Sequence, residues 1–452
     1  MKMKLVFLTL LVLTISACGD DPVIPPPTTG PKQYGTPLVN VPNADKAAIY
    51  EVNLRAQSSE GNLQGVISKL QHIKSLGTNV IWLMPIYEQG VLNSVGSPYC
   101  VKDYEKIDPE YGTLSDLRAL TDQAHALGMA VILDWVANHT SWDHPWISAH
   151  PEWYTQNANG QIIIPPGTNW NDVADLNFNQ SAMRKAQIDA MKYWVLEANV
   201  DGFRCDYADG VPFDFWDEAI SELKALPKRD LLMLAEGTRS DHYQAGFDLT
   251  YSWNYYTALK NVWTGSATSL LTTTHQVEMA SLPSGKGKVR FTTNHDQSAW
   301  EASPMTLFNG KNGAIAASVA KLFSGGTPLL YTGQEVGKTG TTPFFSNSTI
   351  NWSANADMLA AYQKMYGIYN NYPAARTTNY SIYQLSNDLI CWKKTSGNES
   401  ILILINVRNN NINVSLPPAL TGTFYNLLNL QDEALGASLA LSPYAYRIYQ
   451  MN

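Results

Sequence analysis

The segment VDGFRCDYADG, Val200 to Gly210, begins as an apolar run and turns polar at Arg204 and Asp206. Three other apolar runs end the same way: MAVILDW at Asp134, LLMLAE at Glu236, and KVRFTTNHD at Asn294, His295 and Asp296. Side chains alternate across a strand, so Arg204 and Asp206 share one face while Phe203 and Cys205 share the other. Taken alone, the pair reads equally well as a structural ion pair, since opposite charges ~4 Å apart gain about 4 kcal/mol at an effective dielectric near 20. Number shifts the balance. Asp134, Asp206, Glu236 and Asp296 bring four carboxylates against the one obligate cation, Arg204. Crowded carboxylates raise one another's pKa, a cost tolerated where one acid must stay protonated while another stays ionised. That is the chemistry of glycosidic-bond hydrolysis.

These residues converge only if the strands carrying them lie side by side. Eight short apolar runs, Ala47 to Leu54, Asn79 to Pro85, Met129 to Trp135, Asn199 to Asp206, Leu231 to Glu236, Phe247 to Tyr251, Lys288 to Asp296 and Thr327 to Gly333, alternate with amphipathic stretches. LQGVISKLQHIKSLG, LSDLRALTDQAHALG and MRKAQIDAMKYWVLE space apolar residues by three and four, and the first two stop at Gly. The alternation predicts an α/β fold, a (β/α)8 TIM barrel, whose strand C-termini share one face. Residues 141–179, rich in Trp, Pro, Asn and Gly, are too long for an ordinary loop and predict a small excursion beside that face. Beyond about Ala375 six short strands without helices predict a C-terminal antiparallel β-sandwich. The expected division is therefore barrel over 45–140 and 180–375, excursion over 141–179 and sandwich over 376–452.

The 452 residues carry 31 Lys and Arg against 39 Asp and Glu, a net charge of -8 that argues against a nucleic-acid surface. With 13 Trp and 24 Tyr there are rings to spare for stacking sugars, and Trp142, Trp146, Trp153, Trp170, Trp253 and Trp300 fall on or near mouth loops. Lys2 and Lys4, an apolar run from Leu5 to about Leu13 and small residues before Cys18 read as a secretory signal over 1–17. Ile15-Ser16-Ala17-Cys18 resembles the lipobox of bacterial lipoproteins, which implies a lipid on Cys18 and an exported, membrane-anchored protein. The proline-rich stretch 18–44 then reads as a semi-extended tether. Cys100, Cys205 and Cys391 remain, an odd number that allows one bridge and specifies none. Nothing in the sequence specifies an oligomer.

DWVANH (Asp134 to His139), GFRCD (Gly202 to Asp206), the Glu of LAEG (Glu236) and NHD (Asn294 to Asp296) resemble, in order and strand position, the four conserved regions of the α-amylase superfamily, glycoside hydrolase family thirteen. VADLN (Val173 to Asn177) resembles its short fifth region and YTGQEVG (Tyr331 to Gly337) its eighth-strand ending. The resemblance implies a retaining hydrolase of α-1,4-glucosidic bonds, with starch or malto-oligosaccharide as substrate. Asp206 would be the nucleophile, Glu236 the general acid and base, and Asp296 the carboxylate that holds the distorted sugar. Arg204 would keep Asp206 ionised and aimed, His139 and His295 would donate hydrogen bonds to the sugar, Tyr99 would stack on it, and Asp134 would orient the loop. Asn138 and Asp175 match two ligands of a calcium site, and Ca2+ is the one cofactor expected. The chain departs from the pattern at Asp209-Gly210, where many α-amylases carry Lys-His, which bears on the leaving-group subsites and on one backbone calcium contact. Two other readings stand beside the amylase: a related α-glucan enzyme (glucosidase, neopullulanase-like or transglycosylase), and a catalytically silent glycan-binding lipoprotein.

Overall fold

The computed structural model describes residues 30–451. Eight parallel strands close into a barrel: β1 (Ile49–Val52), β2 (Val80–Leu83), β3 (Ala130–Trp135), β4 (Gly202–Cys205), β5 (Leu232–Ala235), β6 (Leu249–Tyr251), β7 (Gly287–Arg290) and β8 (Thr327–Tyr331). Closure is direct, since Ile49 pairs with Val80 on one side and Leu329 on the other. Alternation sorts each strand into two faces. Ile49, Val80, Trp82, Ile132, Leu234, Tyr251 and Leu329 form one apolar cluster inside the barrel. Tyr50, Ile81, Leu133, Phe203, Cys205 and Met233 join the large outer core with the helices. Arg204 therefore points inward, registered against Asp134 and Leu234 on its neighbours, while Phe203 and Cys205 face the helix layer.

The three amphipathic stretches form helices at Leu63–Ser75, Leu114–Ala126 and Ser181–Glu197. Thr113 and Asp116 close a capping box at the start of the second. Gly77 and Gly128, at φ +83° and +68°, stop the first two as expected. One unit departs from the regular alternation: β5 is followed only by a 3-10 turn, Ser240–Tyr243, before β6.

Two insertions rise at the strand C-termini. A hairpin of Tyr87–Gln89 and Val101–Ile107 follows β2, and His139–Ser141 pairs with Val173–Asp175 across the expected excursion. Beyond the barrel lie β9 (Tyr380–Ile382), β10 (Leu389–Ser396), β11 (Glu399–Asn406), β12 (Ile412–Ser415), β13 (Gly422–Asn426), β14 (Gln431–Leu435), β15 (Ser438–Leu441) and β16 (Tyr446–Met451). Six make an antiparallel sheet in the order β9-β10-β11-β16-β13-β14, and β12 pairs with β15. Leu402 and Leu404 face a core shared with Val414 and Leu439, whereas Ile401, Ile403 and Ile405 join the barrel's outer core. The strands β14 and β15 have no counterpart among the six expected.

The expected signal, Cys18 and the first part of the tether lie outside the described residues. Residues 30–44 do not stand off as a tether. Tyr34 donates its backbone N–H to Leu196 (2.8 Å) and its hydroxyl to Asp122 (2.6 Å), and Leu38, Val41 and Ala44 pack on the interior cluster from the N-terminal end of the strands. The apolar residues among the prolines give this stretch a surface to bury, which a tether would lack. Cys100, Cys205 and Cys391 are all buried and unbridged.

Candidate active site

The strand ends assemble around Arg204, whose side chain is fully buried. Its Nη1 donates to Asp134 Oδ1 at 2.7 Å and to Asp206 Oδ1 at 2.9 Å, and its Nη2 lies 2.8 Å from Glu236 Oε2. One guanidinium thus bridges carboxylates from three adjacent strands, and the planar fork of arginine suits that geometry. Trp82 faces it at 5.0 Å as a cation–π partner. Asp134 is fully buried; its Oδ2 accepts from Trp82 Nε1 (3.1 Å) and the Tyr99 hydroxyl (3.0 Å), which places it behind the site as a support.

Local backbone aims the next pair. Gly202 has φ +142°, and a Cβ there would sit 2.0 Å from the Leu232 carbonyl oxygen, so only glycine lets β4 start this close to β5. After Asp206 the chain turns through Tyr207 at φ +42°, the left-handed region, and directs the Tyr207 N–H at Glu236 Oε2, 2.8 Å away. A tyrosine there is strained, and such strain gathers at functional sites.

Burial sets the acidity of the group. It pushes Glu236 up to about 7, against the pull of Arg204 and with the help of Asp206 and Asp296. Burial also pushes Asp206 up to about 6, where Arg204 opposes it and Asp134 and Asp296 reinforce it. Burial thus raises both carboxyls, and Arg204 opposes it in each. Burial lowers His139 to about 4, so it stays neutral. His295 goes the other way: burial would lower it, but Asp296 and Glu51 outweigh that and hold it up to about 9.

A cavity of about 630 Å³ opens above, lined by Tyr99, His139, Asp206, Glu236, His295 and Asp296 among others. The structure thus gathers all the expected catalytic and sugar-binding residues at one mouth, with Arg204 beneath the floor. Tyr99 comes from the hairpin after β2 and stacks on His295, with centroids 5.4 Å apart and planes at 18°. Of the six tryptophans, Trp170 and Trp300 line the cavity. Trp153 is buried in the excursion's own cluster with Trp142 and Trp146 against it, and Trp253 stacks on Tyr251 at 5.2 Å beside the barrel interior.

One residue is absent from the sequence expectations and another takes a different part from the one expected. Glu51, on β1, is fully buried and accepts from both the backbone N–H (3.2 Å) and Nδ1 (2.5 Å) of His295. The signal was available: an acid in the apolar run AAIYEVNL is the same clue as Arg204 in its own run. Asp209, expected to bear on the leaving-group subsites, turns toward the loop after β5. It accepts from the N–H groups of Thr238 (3.0 Å) and Arg239 (3.3 Å) and contacts His242 Nε2 at 2.7 Å. Despite its burial these partners hold it down to about 2, so it braces the loop after β5.

Asn138 and Asp175 sit beside the mouth, with Nδ2 donating to Asp175 Oδ1 at 3.4 Å. Asp175 is 8% exposed, has no basic partner among the described residues, and burial raises its pKa. A carboxylate buried without a countercharge among the described residues, with the Asn138 amide beside it, offers oxygen donors to a hard cation. No cluster of three His, Cys, Asp or Glu stands ready for a metal among the described residues, so carbonyls and water would complete a shell of 6 to 8 oxygens.

The family model described as alpha amylase, catalytic domain, matches residues 42–162 and 151–388. The chain is 25% identical over 403 residues to an alpha-amylase of Haloarcula japonica, covering 84% of this chain and 58% of that one, so it spans little more than half of that relative. A 264-residue stretch is 33% identical to an alpha-1,4-glucan:maltose-1-phosphate maltosyltransferase of Rhodospirillum rubrum, covering 51% of this chain and 38% of that one. The crystal structure of an alpha-amylase from Lactobacillus plantarum superposes with a TM-score of 0.82 at 33% identity, over 90% of this chain and 99% of the other. The chain belongs to the alpha-amylase family, glycoside hydrolase family thirteen.

Proposed function

We propose that the protein is a retaining α-amylase that hydrolyses α-1,4-glucosidic bonds of starch or malto-oligosaccharides. One observation carries the reading: Asp206 and Glu236 flank a single buried guanidinium at a sugar-sized cavity, where burial holds Glu236 up to about 7. In the first step Glu236 protonates the glycosidic oxygen as it leaves, and an Asp206 oxygen bonds to the anomeric carbon. In the second, Glu236 takes a proton from water, and the water oxygen displaces Asp206. Asp296, His139 and His295 hold the sugar hydroxyls at that subsite, Tyr99 stacks on the ring, and Arg204 stabilises Asp206 as the ester forms and breaks. Two inversions retain configuration, as expected where the two carboxyl groups stand about 5 to 5.5 Å apart. The first product from maltopentaose should therefore carry the α-anomer, which proton NMR within the first minutes reads directly; β-anomer at early times would overturn the mechanism.

The likeness to a maltosyltransferase favours a second reading within the family, transfer of the glycosyl group to a sugar acceptor in place of water. Products longer than the substrate during incubation with maltotriose would identify it. A protein that binds starch but is as inert as its Asp206→Asn and Glu236→Gln variants would instead be a glycan-binding module.

The proposal includes calcium at Asn138 and Asp175, where a bound ion would brace the excursion against the barrel. Millimolar Ca2+ added to chelated protein should raise Tm by several degrees, and Asp175→Asn should abolish the increment; an identical response in both proteins would remove the site. It also includes a lipid on Cys18, placing the enzyme at a bacterial membrane; loss of detergent partitioning in Cys18→Ala tests this.

A further inference from the structure

His295 is gripped from several sides. Its Nδ1 meets Glu51 Oε1 at 2.5 Å, and the same oxygen accepts the His295 backbone N–H. Its Nε2 lies 2.8 Å from the Tyr99 hydroxyl and 3.5 Å from Asp296 Oδ2. Trp82 meets the ring edge-on at 5.8 Å and Phe344 at 5.3 Å. The charged and titratable groups around it are Glu51 on β1, Tyr99 after β2, Asp134 on β3, Arg204 on β4 and Asp296 on its own turn. The Tyr99 hydroxyl donates to Asp134 Oδ2, which leaves it an acceptor toward Nε2. Both ring nitrogens therefore face acceptors, which a neutral imidazole with one N–H could not satisfy. The second Glu51 oxygen has no hydrogen-bond partner among the described residues, so its carboxylate is directed wholly at His295.

From this geometry we infer that Glu51 is a positioning residue: its buried carboxylate fixes His295 as a doubly protonated imidazolium whose Nε2–H, held by the Tyr99 hydroxyl at the cavity wall, is offered to a sugar hydroxyl that takes the place of that contact. The ring then binds a sugar hydroxyl as a charged donor, stronger than a neutral imidazole would be. The inference rests on the glucan reading only for the identity of the ligand.

The test separates the two. The His295 imidazole is followed by NMR titration in wild type, Glu51→Gln and Glu51→Asp. Wild type and Glu51→Asp should titrate in the alkaline range, and Glu51→Gln lower by at least about one pH unit. Maltotetraose binding is then measured by calorimetry in Glu236→Gln, which removes the proton of the general acid. Affinity should hold up to about pH 8 with Glu51 present, and fall roughly tenfold between pH 6 and pH 8 once Glu51→Gln is added. Equal titration midpoints in wild type and Glu51→Gln would overturn the inference, as would a Glu51→Asp that titrates like Glu51→Gln. Failure of every variant to bind maltotetraose at any pH would count against the glucan reading, while the titration would still decide the role of Glu51.

Discussion

Asp206→Asn and Glu236→Gln will each release reducing ends from soluble starch at least about 10⁴-fold more slowly than wild type while remaining folded. The amide at 206 can still accept from Arg204 Nη1, so the floor keeps its shape, but it cannot bond to the anomeric carbon as an anion. The amide at 236 has no proton of the required acidity to deliver. Combining the two should cost little more than either alone, because they act in one sequence of bond changes. A variant retaining a tenth of wild-type activity would remove that side chain from the chemistry.

The same substitution should stabilise. Burial pushes Asp206 up to about 6 in the fold from an ordinary 3.8, so between about pH 4 and pH 6 the folded state binds more protons than the unfolded one. Stability contributed by such a group falls as pH rises through that window. Asp206→Asn escapes the loss, and its Tm should exceed wild type at pH 8 by an amount corresponding to about 1 kcal/mol, with the gap closing at pH 4. Equal Tm differences at both pH values would contradict the charge crowding described at the site.

Arg204→Leu is expected to be the most damaging single change to the fold. It leaves Asp134, Asp206 and Glu236 facing one another with no cation between them, and removing one partner of a buried ion pair costs about 3–5 kcal/mol. Each of these carboxylates would be raised further, so the deficit should be largest at pH 8 and shrink toward pH 4 as they take up protons. Arg204→Lys should fall between, since an ammonium keeps the charge but cannot present the fork that reaches three strands. Urea unfolding at the two pH values measures all of this; a pH-independent deficit in Arg204→Leu would mean that lost packing, not charge, is what the arginine supplies.

The parts of this site legible in sequence were those in which polar residues interrupt apolar runs of period two. Arg204 and Asp206 announced themselves in that way, and with them the barrel that makes strand ends converge. Glu51 carried the same signature in Tyr50-Glu51-Val52, but its partner lies 244 residues away, and one acid without a visible partner does not reveal a purpose. Tyr99 depends on a hairpin whose strands read YEQ and VKDYEKI, too polar to stand out as strands. Strands β14 and β15 were hidden for a related reason: QDEAL and SLAL bury only one or two residues each. The tryptophans show the opposite limit, since Trp153 and Trp300 look alike in composition and only packing separates a buried ring from one that is 66% exposed.

Residues 30–44 cover the end of the barrel opposite the cavity, so the described chain starts at the back of the molecule. A surface bound at that end would leave the cleft looking outward, and a bulky polysaccharide could approach without the surface in its way.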